Sequence, residues 1–410
     1  MQKVLFAFSG GIDDVLAVHW LKEQRGCAVV AFLADLGQES YLEPLGELAL
    51  ESGAEGTIIA DLRASFIENF ALPTLQAGAQ YEDYLLSTPL ARYAICEALV
   101  SFAAENDIEV VGHGASNRGN DQVRVEGSLG ALAPHLEVVA PIRELAFGST
   151  EERLQRLRRH HLPEPESFRA AHSVDRNIWG CGQVHGGLSD PWESPPESLY
   201  LMTKSPVDAP DEPREIVIAF EQGTPRALDD EALSAVDLVT RLNEIGGEHG
   251  IGRLDHVENA MLAGKTREIY EAPAAQVLYD AHTALEEMTQ SRDLGRHKRF
   301  VAEEFGRLVY EGQWYSELRE ALSQFVESTQ RFVTGRVRVR LFKGHVTVLG
   351  RESTYSLYDR DLVNSPEEQK RMRRLAKGFV DVVTQSRKSE AVHRGLGTGG
   401  IAANDPGSKR

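Results

Sequence analysis

Across the first 145 residues, short apolar runs alternate with helical patterns, and this alternation constrains the fold more than any other feature of the chain. The runs fall at residues 3–8, 27–33, 57–60, 109–112 and 137–140, and the clearest helical pattern between them covers residues 90–105. Such spacing implies a mostly parallel sheet with helices on both faces, an α/β fold. Ligands of such sheets bind outside the carboxyl ends of the strands. Three polar loops fall there: residues 9–15, 34–38 and 113–124.

The second half reads as α+β. Ser149, with Glu152 three residues on, is a capping signature that opens a charged helix to about His160. The Pro-rich stretch DPWESPPESLYLMTKSPVDAPDEP, residues 190–213, excludes regular helix. A strand is expected at 215–220, and helices near 230–248, 275–289 and 315–331. Residues 336–342 and 345–349 alternate around Lys343-Gly344 as a β-hairpin. Residues 365–386 form one long helical pattern, and the Gly-rich polar stretch from about residue 388 predicts a disordered tail.

A net charge of −18 argues against nucleic acid or an anionic membrane as the main partner. No apolar run approaches the roughly 18 residues that a membrane span needs. The opening MQKVLFAFSGG reads as a first core strand and not as a signal peptide. Cys27, Cys96 and Cys181 are widely spaced, with no metal-binding or disulfide pattern. They read as buried thiols in a reducing cytoplasm.

SGGIDDV, residues 9–15, joins the first strand to a helix. A glycine pair lets successive N–H groups converge, the helix adds its positive end, and Ser9 adds a hydroxyl donor, so the turn suits an anion. An ordinary strand-to-helix turn is the alternative, and no Gly-Lys-Ser/Thr closes a Walker loop. HGASNRGNDQVR, residues 113–124, packs amides, a carboxylate and guanidiniums between a strand and an apolar segment. It suits a zwitterion, with Asp121 for an ammonium, Arg124 for a carboxylate and Asn120 bridging; a plain polar turn is the alternative. GRLDHVENAMLAGKTREIYE, residues 252–271, carries Asp255, Glu258, Lys265, Arg267 and Tyr270, which an exposed amphipathic segment could also show.

Taken together, these segments resemble the argininosuccinate synthase family. The likeness runs in order through SGGxD, ADLGQ (34–38), YLLSTPLAR (84–92), HGASNRGNDQVR, APIRE (140–144), SVDRNIWG (173–180), DPWESPPE (190–197), SPVDAPDEP (205–213), the 252–271 segment and LGRESTYSLYD (349–359). The resemblance implies an ATP-pyrophosphatase-type nucleotide domain over 1–163, a synthetase and oligomerisation domain over 164–360, a C-terminal helix over 361–387 and a tail over 388–410. It implies a homotetramer in the cytoplasm that uses ATP with Mg²⁺, with no metal site of its own. The reaction implied joins aspartate to citrulline through an adenylated ureido intermediate.

The resemblance places ATP at Ala7, Phe8, Ser9, Gly10, Gly11, Asp13, Ala34, Gly114 and Ser116. It places aspartate at Ser116, Asn120 and Asp121, and citrulline at Tyr84, Asn120, Arg124, Ser173, Glu258 and Tyr270. Asp13, Asp121 and Asn120 are the candidates for the chemistry, with Asp121 as a general base. The family's pattern is broken where Asp14 and Val15 replace two hydroxyl residues, where Pro89 and Gly182 replace two serines, where Ala260 replaces an arginine and where Asn117 replaces a glycine. Three functions fit these residues: an argininosuccinate synthase, a paralogue taking another ureido or carbonyl substrate, and a binding protein without turnover.

Overall fold

Val4 and Phe6 of β1 (Lys3–Ala7) join one buried cluster and Leu5 joins another, so this strand is covered on both faces. That is the signature of a central parallel strand, and each large apolar side chain so buried stabilises the fold by about 1.5–3 kcal/mol. Four more strands complete the sheet: β2 (Ala28–Asp35), β3 (Gly56–Asp61), β4 (Val110–His113) and β5 (Glu137–Val139). Their order is β3-β2-β1-β4-β5, with every pair parallel. The order reverses beside β1, which opens a ligand crevice between the carboxyl ends of β1 and β4. The loops that begin at Phe8 and Gly114 both rise there.

The computed structural model describes residues 2–38, 42–115, 119–144, 149–165, 172–185, 188, 190–262 and 264–394, without the side chains of 150, 172, 173, 184 and 185. Ser116 and Asn117, the Ser173 side chain and the tail from residue 395 therefore lie outside it.

The remaining strands are β6 (His172–Asn177), β7 (Gly180–His185), β8 (Arg214–Glu221), β9 (Thr224–Leu228), β10 (Glu231–Ala232), β11 (Arg253–Ala260), β12 (Gly264–Glu271), β13 (Gly335–Phe342) and β14 (His345–Glu352). They form two antiparallel sheets, β10-β9-β8-β13-β14 and β11-β12-β7-β6. The hairpin around Lys343-Gly344 stands as expected, with both turn residues at positive φ. The capping box at Ser149 and Glu152 is present and opens the helix Thr150–Arg159. Within the Pro-rich stretch the regular structure is one short turn, Glu197–Leu199.

Residues 253–260 and 264–271 pair as an antiparallel hairpin. The helix Arg292–Tyr310 was not anticipated. Its inner face carries Lys298, which pairs with Glu286 at 2.9 Å and interrupts the apolar stripe. The largest core draws Phe66, Leu75 and Leu90 together with Trp179, Ile218 and Leu278, from both sides of residue 163.

Met1–Tyr355 forms one compact unit and Ser356–Arg410 a second. The second contains the helix Pro366–His393, which runs past the expected end at residue 387 and has no buried residue.

Candidate active site

The turn after β1 is built for close backbone approach. Gly10 has φ of +81°, and a Cβ there would lie 2.4 Å from Leu45 Cδ2. Gly11 caps the helix Ile12–Glu23 without a side-chain bond, which leaves N–H groups at the helix start for an anion. Phe8 is pinned by its N–H to the Phe32 carbonyl at 2.9 Å.

Asp14 turns back into this cradle. Its Oδ2 accepts from the Ser9 N–H at 2.6 Å and from the Ser9 hydroxyl at 2.7 Å. The carboxylate is buried and lies against Gly114, where a Cβ would sit 1.8 Å from Asp14 Oδ1. Burial pushes its pKa up to about 6, against the pull of the Ser9 bonds. Two donors expected to face phosphate thus face a carboxylate. Val15 is fully buried in the core with Val4, Phe6 and Leu16 and offers the turn no hydrogen-bond donor.

Asp13 points elsewhere. Arg153 stands 3.3 Å from its Oδ2, and its Oδ1 is buried with no hydrogen-bond partner. Burial raises its pKa and Arg153 offsets part of the rise. An orphaned carboxylate oxygen beside a phosphate cradle fits Mg²⁺, which takes one or two carboxylates and completes its shell with phosphate and water. Ala34 lies at the end of β2, where its carbonyl accepts from Gln38 Nε2 at 2.7 Å. Gly37 packs against Ile178, tying this loop to the turn before β7.

The helix Asp121–Leu132 follows β4 and carries the second cluster. Asp121 accepts from Arg124 Nη1 at 2.8 Å and from Arg92 Nε at 2.9 Å. Arg92 also bonds Asp175 on β6. Burial alone would raise the Asp121 carboxyl, but the two guanidiniums outweigh it and hold it below the usual carboxylate range. A carboxylate so held is an electrostatic anchor for an ammonium and a poor proton acceptor, which counts against the general-base expectation. Asn120 joins the two halves of the site. Its Oδ1 accepts from the Met261 N–H at 3.1 Å, and its Nδ2 donates to the Tyr310 hydroxyl at 2.9 Å.

The hairpin β11–β12 supplies the third wall. Its register puts Leu254 opposite Tyr270, His256 opposite Glu268 and Glu258 opposite Thr266, all on one face. Glu258, buried, accepts from Tyr310 at 2.5 Å and from Tyr270 at 2.8 Å. Tyr84 stacks on Tyr270 with ring centroids 3.8 Å apart, and its hydroxyl accepts from the Thr88 N–H at 2.8 Å. The other face holds Asp255 and Arg267, which pair at 2.6 Å and fasten the loop through the Asp190 and Glu193 carbonyls. The sequence segment therefore divides: Glu258 and Tyr270 face Tyr84 and Tyr310, while Asp255 and Arg267 face the loop of Asp190 and Glu193.

Sequence reasoning missed Arg92, Arg153, Asp175, Glu268 and Tyr310. Arg92 ends the YLLSTPLAR segment, and a buried guanidinium beside Asp121 is the partner such a carboxylate needs. Tyr310 ends the unanticipated helix. At Gly182, which replaces a serine of the family's pattern, a Cβ would lie 3.0 Å from the Tyr270 ring, so the ring fills space a serine would need.

Comparison with known proteins matches residues 3–163 to the arginosuccinate synthase N-terminal HUP domain and residues 172–389 to the arginosuccinate synthase C-terminal domain. The argininosuccinate synthase of Chlorobium phaeobacteroides is 43% identical over 380 residues, covering 92% of this chain and 94% of the relative. That of Desulfitobacterium hafniense is 44% identical over 383 residues, covering 93% and 96%. That of Thermosynechococcus vestitus is 45% identical over 383 residues, covering 93% and 95%.

Proposed function

This chain belongs to the argininosuccinate synthase family, and from that premise we propose how its own residues share the work. The chain is an ATP-dependent carbon–nitrogen ligase that joins aspartate to citrulline, a step of arginine biosynthesis, and releases AMP and pyrophosphate. In the first half-reaction the ureido oxygen attacks the α-phosphorus and pyrophosphate leaves. In the second the aspartate amine attacks the ureido carbon, and the C–O bond breaks to release AMP. No side chain becomes covalently attached.

The turn from Ser9 to Gly11 and the start of the helix Ile12–Glu23 cradle the pyrophosphate, once Asp14 swings off Ser9. Mg²⁺, when bound, neutralises phosphate charge, and Asp13 is the residue that would hold it. Asp121, fixed between Arg92 and Arg124, anchors the aspartate ammonium with Ser116 and Asn120. Tyr84, Arg124, Ser173, Glu258 and Tyr270 hold citrulline, with Arg124 toward its carboxylate. Catalysis is positioning and charge stabilisation. The observation that supports this reading most is the rise of the Ser9–Asp14 turn and the Asp121 cluster at one crevice of the parallel sheet.

A homotetramer fits the helix Pro366–His393, which exposes Leu375, Phe379, Val380, Val382 and Val383. A cytoplasmic setting fits three free, buried cysteines. No helix among the described residues is long and apolar enough to cross a membrane. The test is product formation from ATP, aspartate and citrulline. Argininosuccinate and pyrophosphate should accumulate in equal amounts over many turnovers only with all three substrates, and without aspartate pyrophosphate should stop at about one per active site. Pyrophosphate release that ignores aspartate and citrulline would overturn the reading.

A further inference from the structure

The Tyr270 hydroxyl lies 2.8 Å from Glu258 Oε2 and 2.6 Å from Glu268 Oε2. A phenol has one proton to donate. Tyr310 already donates to the other oxygen of Glu258, at 2.5 Å, while accepting from Asn120. If Tyr270 donates to Glu258, its oxygen meets Glu268 with lone pairs only, and Glu268 must carry a proton. If it donates to Glu268, Glu258 must carry one. Either way, the two carboxyls and Tyr270 hold one proton more than two carboxylates and a phenol. The groups around Glu268 favour placing it there. They are Glu258 and Asp121 with like charge, Arg124 with opposite charge, the phenols of Tyr270 and Tyr310, and His256 opposite in register, which faces Glu82 at 3.5 Å. Burial, then the charge of Glu258, pushes the Glu268 carboxyl to about 7.

Resting on the ligase reading above, we propose that Glu268 is a specificity-determining residue for the amino-acid end of citrulline, a second carboxylate that exchanges its proton for the substrate's α-ammonium. The ammonium is the one cation citrulline offers, and an ionised Glu258–Glu268 pair is complementary to it. Arg124 takes the adjacent carboxylate. Binding then releases one proton, from the glutamate pair to buffer, and no bond to carbon changes.

Calorimetric titration of citrulline and of 5-ureidopentanoate, which lacks the amino group, tests this in wild type, Glu268→Gln and Glu268→Ala. Glu268→Gln should weaken citrulline about tenfold at pH 8 and leave 5-ureidopentanoate within about twofold. Wild type at pH 6 should release about one proton per citrulline, read from buffers of different ionisation enthalpy, and Glu268→Gln should release none. Glu268→Ala should share the citrulline loss and still bind 5-ureidopentanoate, and that retained binding separates charge recognition from misfolding. Equal losses for both ligands, or no loss for either, would overturn the inference. If wild type turns citrulline over and the variants match its KM, the inference alone fails. If wild type turns none over, the ligase reading falls with it.

Discussion

Asp14 accepts hydrogen bonds from both the backbone N–H and the hydroxyl of Ser9, so the anion cradle of this chain holds an anion of its own. ATP must displace that carboxylate or share the site with it. Asp14→Thr removes the charge and leaves a hydroxyl donor. A hydrogen bond to a charged group is worth about 1.5–3 kcal/mol, so ATP should bind about ten- to a hundred-fold more tightly. Isothermal titration with ATP measures this, and unchanged affinity would show that Asp14 does not compete with phosphate.

The same carboxyl makes stability depend on pH. Its folded pKa is raised from 3.8 to about 6, so the folded state holds the proton more tightly than the unfolded chain. The resulting penalty is absent below the unfolded value, grows as pH rises through this window and is complete above about 6. Asp14→Asn should therefore stabilise the protein by up to about 3 kcal/mol at pH 7.5 and by almost nothing at pH 3.5. Denaturant melts at the two pH values decide it; a gain of equal size at both would contradict the assignment.

Val15→Ser should behave oppositely to Asp14→Thr. It puts a hydroxyl among Val4, Phe6 and Leu16. The cost should be roughly 1–3 kcal/mol of stability, with no gain in ATP affinity. Tighter ATP binding in this variant would mean that position 15 reaches the phosphate after all.

How much of this was legible in the residues differs from element to element. The parallel sheet and its ligand loops follow from apolar runs set between helical patterns, and Lys343-Gly344 marks its hairpin by turn chemistry. The helix Arg292–Tyr310 hides because buried Lys298 is neutralised by Glu286, a partner on another helix. Asp14 and Val15 are adjacent, and nothing in their order tells that one turns to the cradle and the other to the core. Side-chain direction at a helix start depends on the packing of β1 and β4, and that is a property of the fold. Glu268 is similar: its role depends on lying diagonal to Glu258 across β11 and β12, a register that sequence spacing alone leaves open.

Arg92 bridges Asp121 and Asp175. Arg92→Met would leave two carboxylates facing each other with half their compensation gone, at a cost of roughly 3 kcal/mol. The KM for aspartate should rise at least tenfold while that for citrulline moves less. Arg92→Lys should restore stability in part but not the aspartate KM, because an ammonium cannot bridge both carboxylates in the same plane. Full rescue by lysine would make the bridge a matter of charge alone.

Asp13→Asn addresses the metal. With its unpartnered oxygen replaced or neutralised, Mg²⁺-dependent ATP binding should fall about tenfold, and metal-free ATP binding should hold or improve. Equal weakening with and without Mg²⁺ would assign Asp13 to the turn's structure.

The most direct test follows the ureido oxygen itself. Citrulline labelled with ¹⁸O in the ureido group is incubated with the enzyme, ATP and aspartate, and the products are weighed by mass spectrometry. If the oxygen attacks the α-phosphorus and the aspartate amine then breaks the C–O bond, the AMP carries one ¹⁸O, the pyrophosphate none, and argininosuccinate has lost the ureido label. Unlabelled AMP, or AMP formed while citrulline keeps its ¹⁸O, would contradict the adenylated intermediate on which every residue role described above depends.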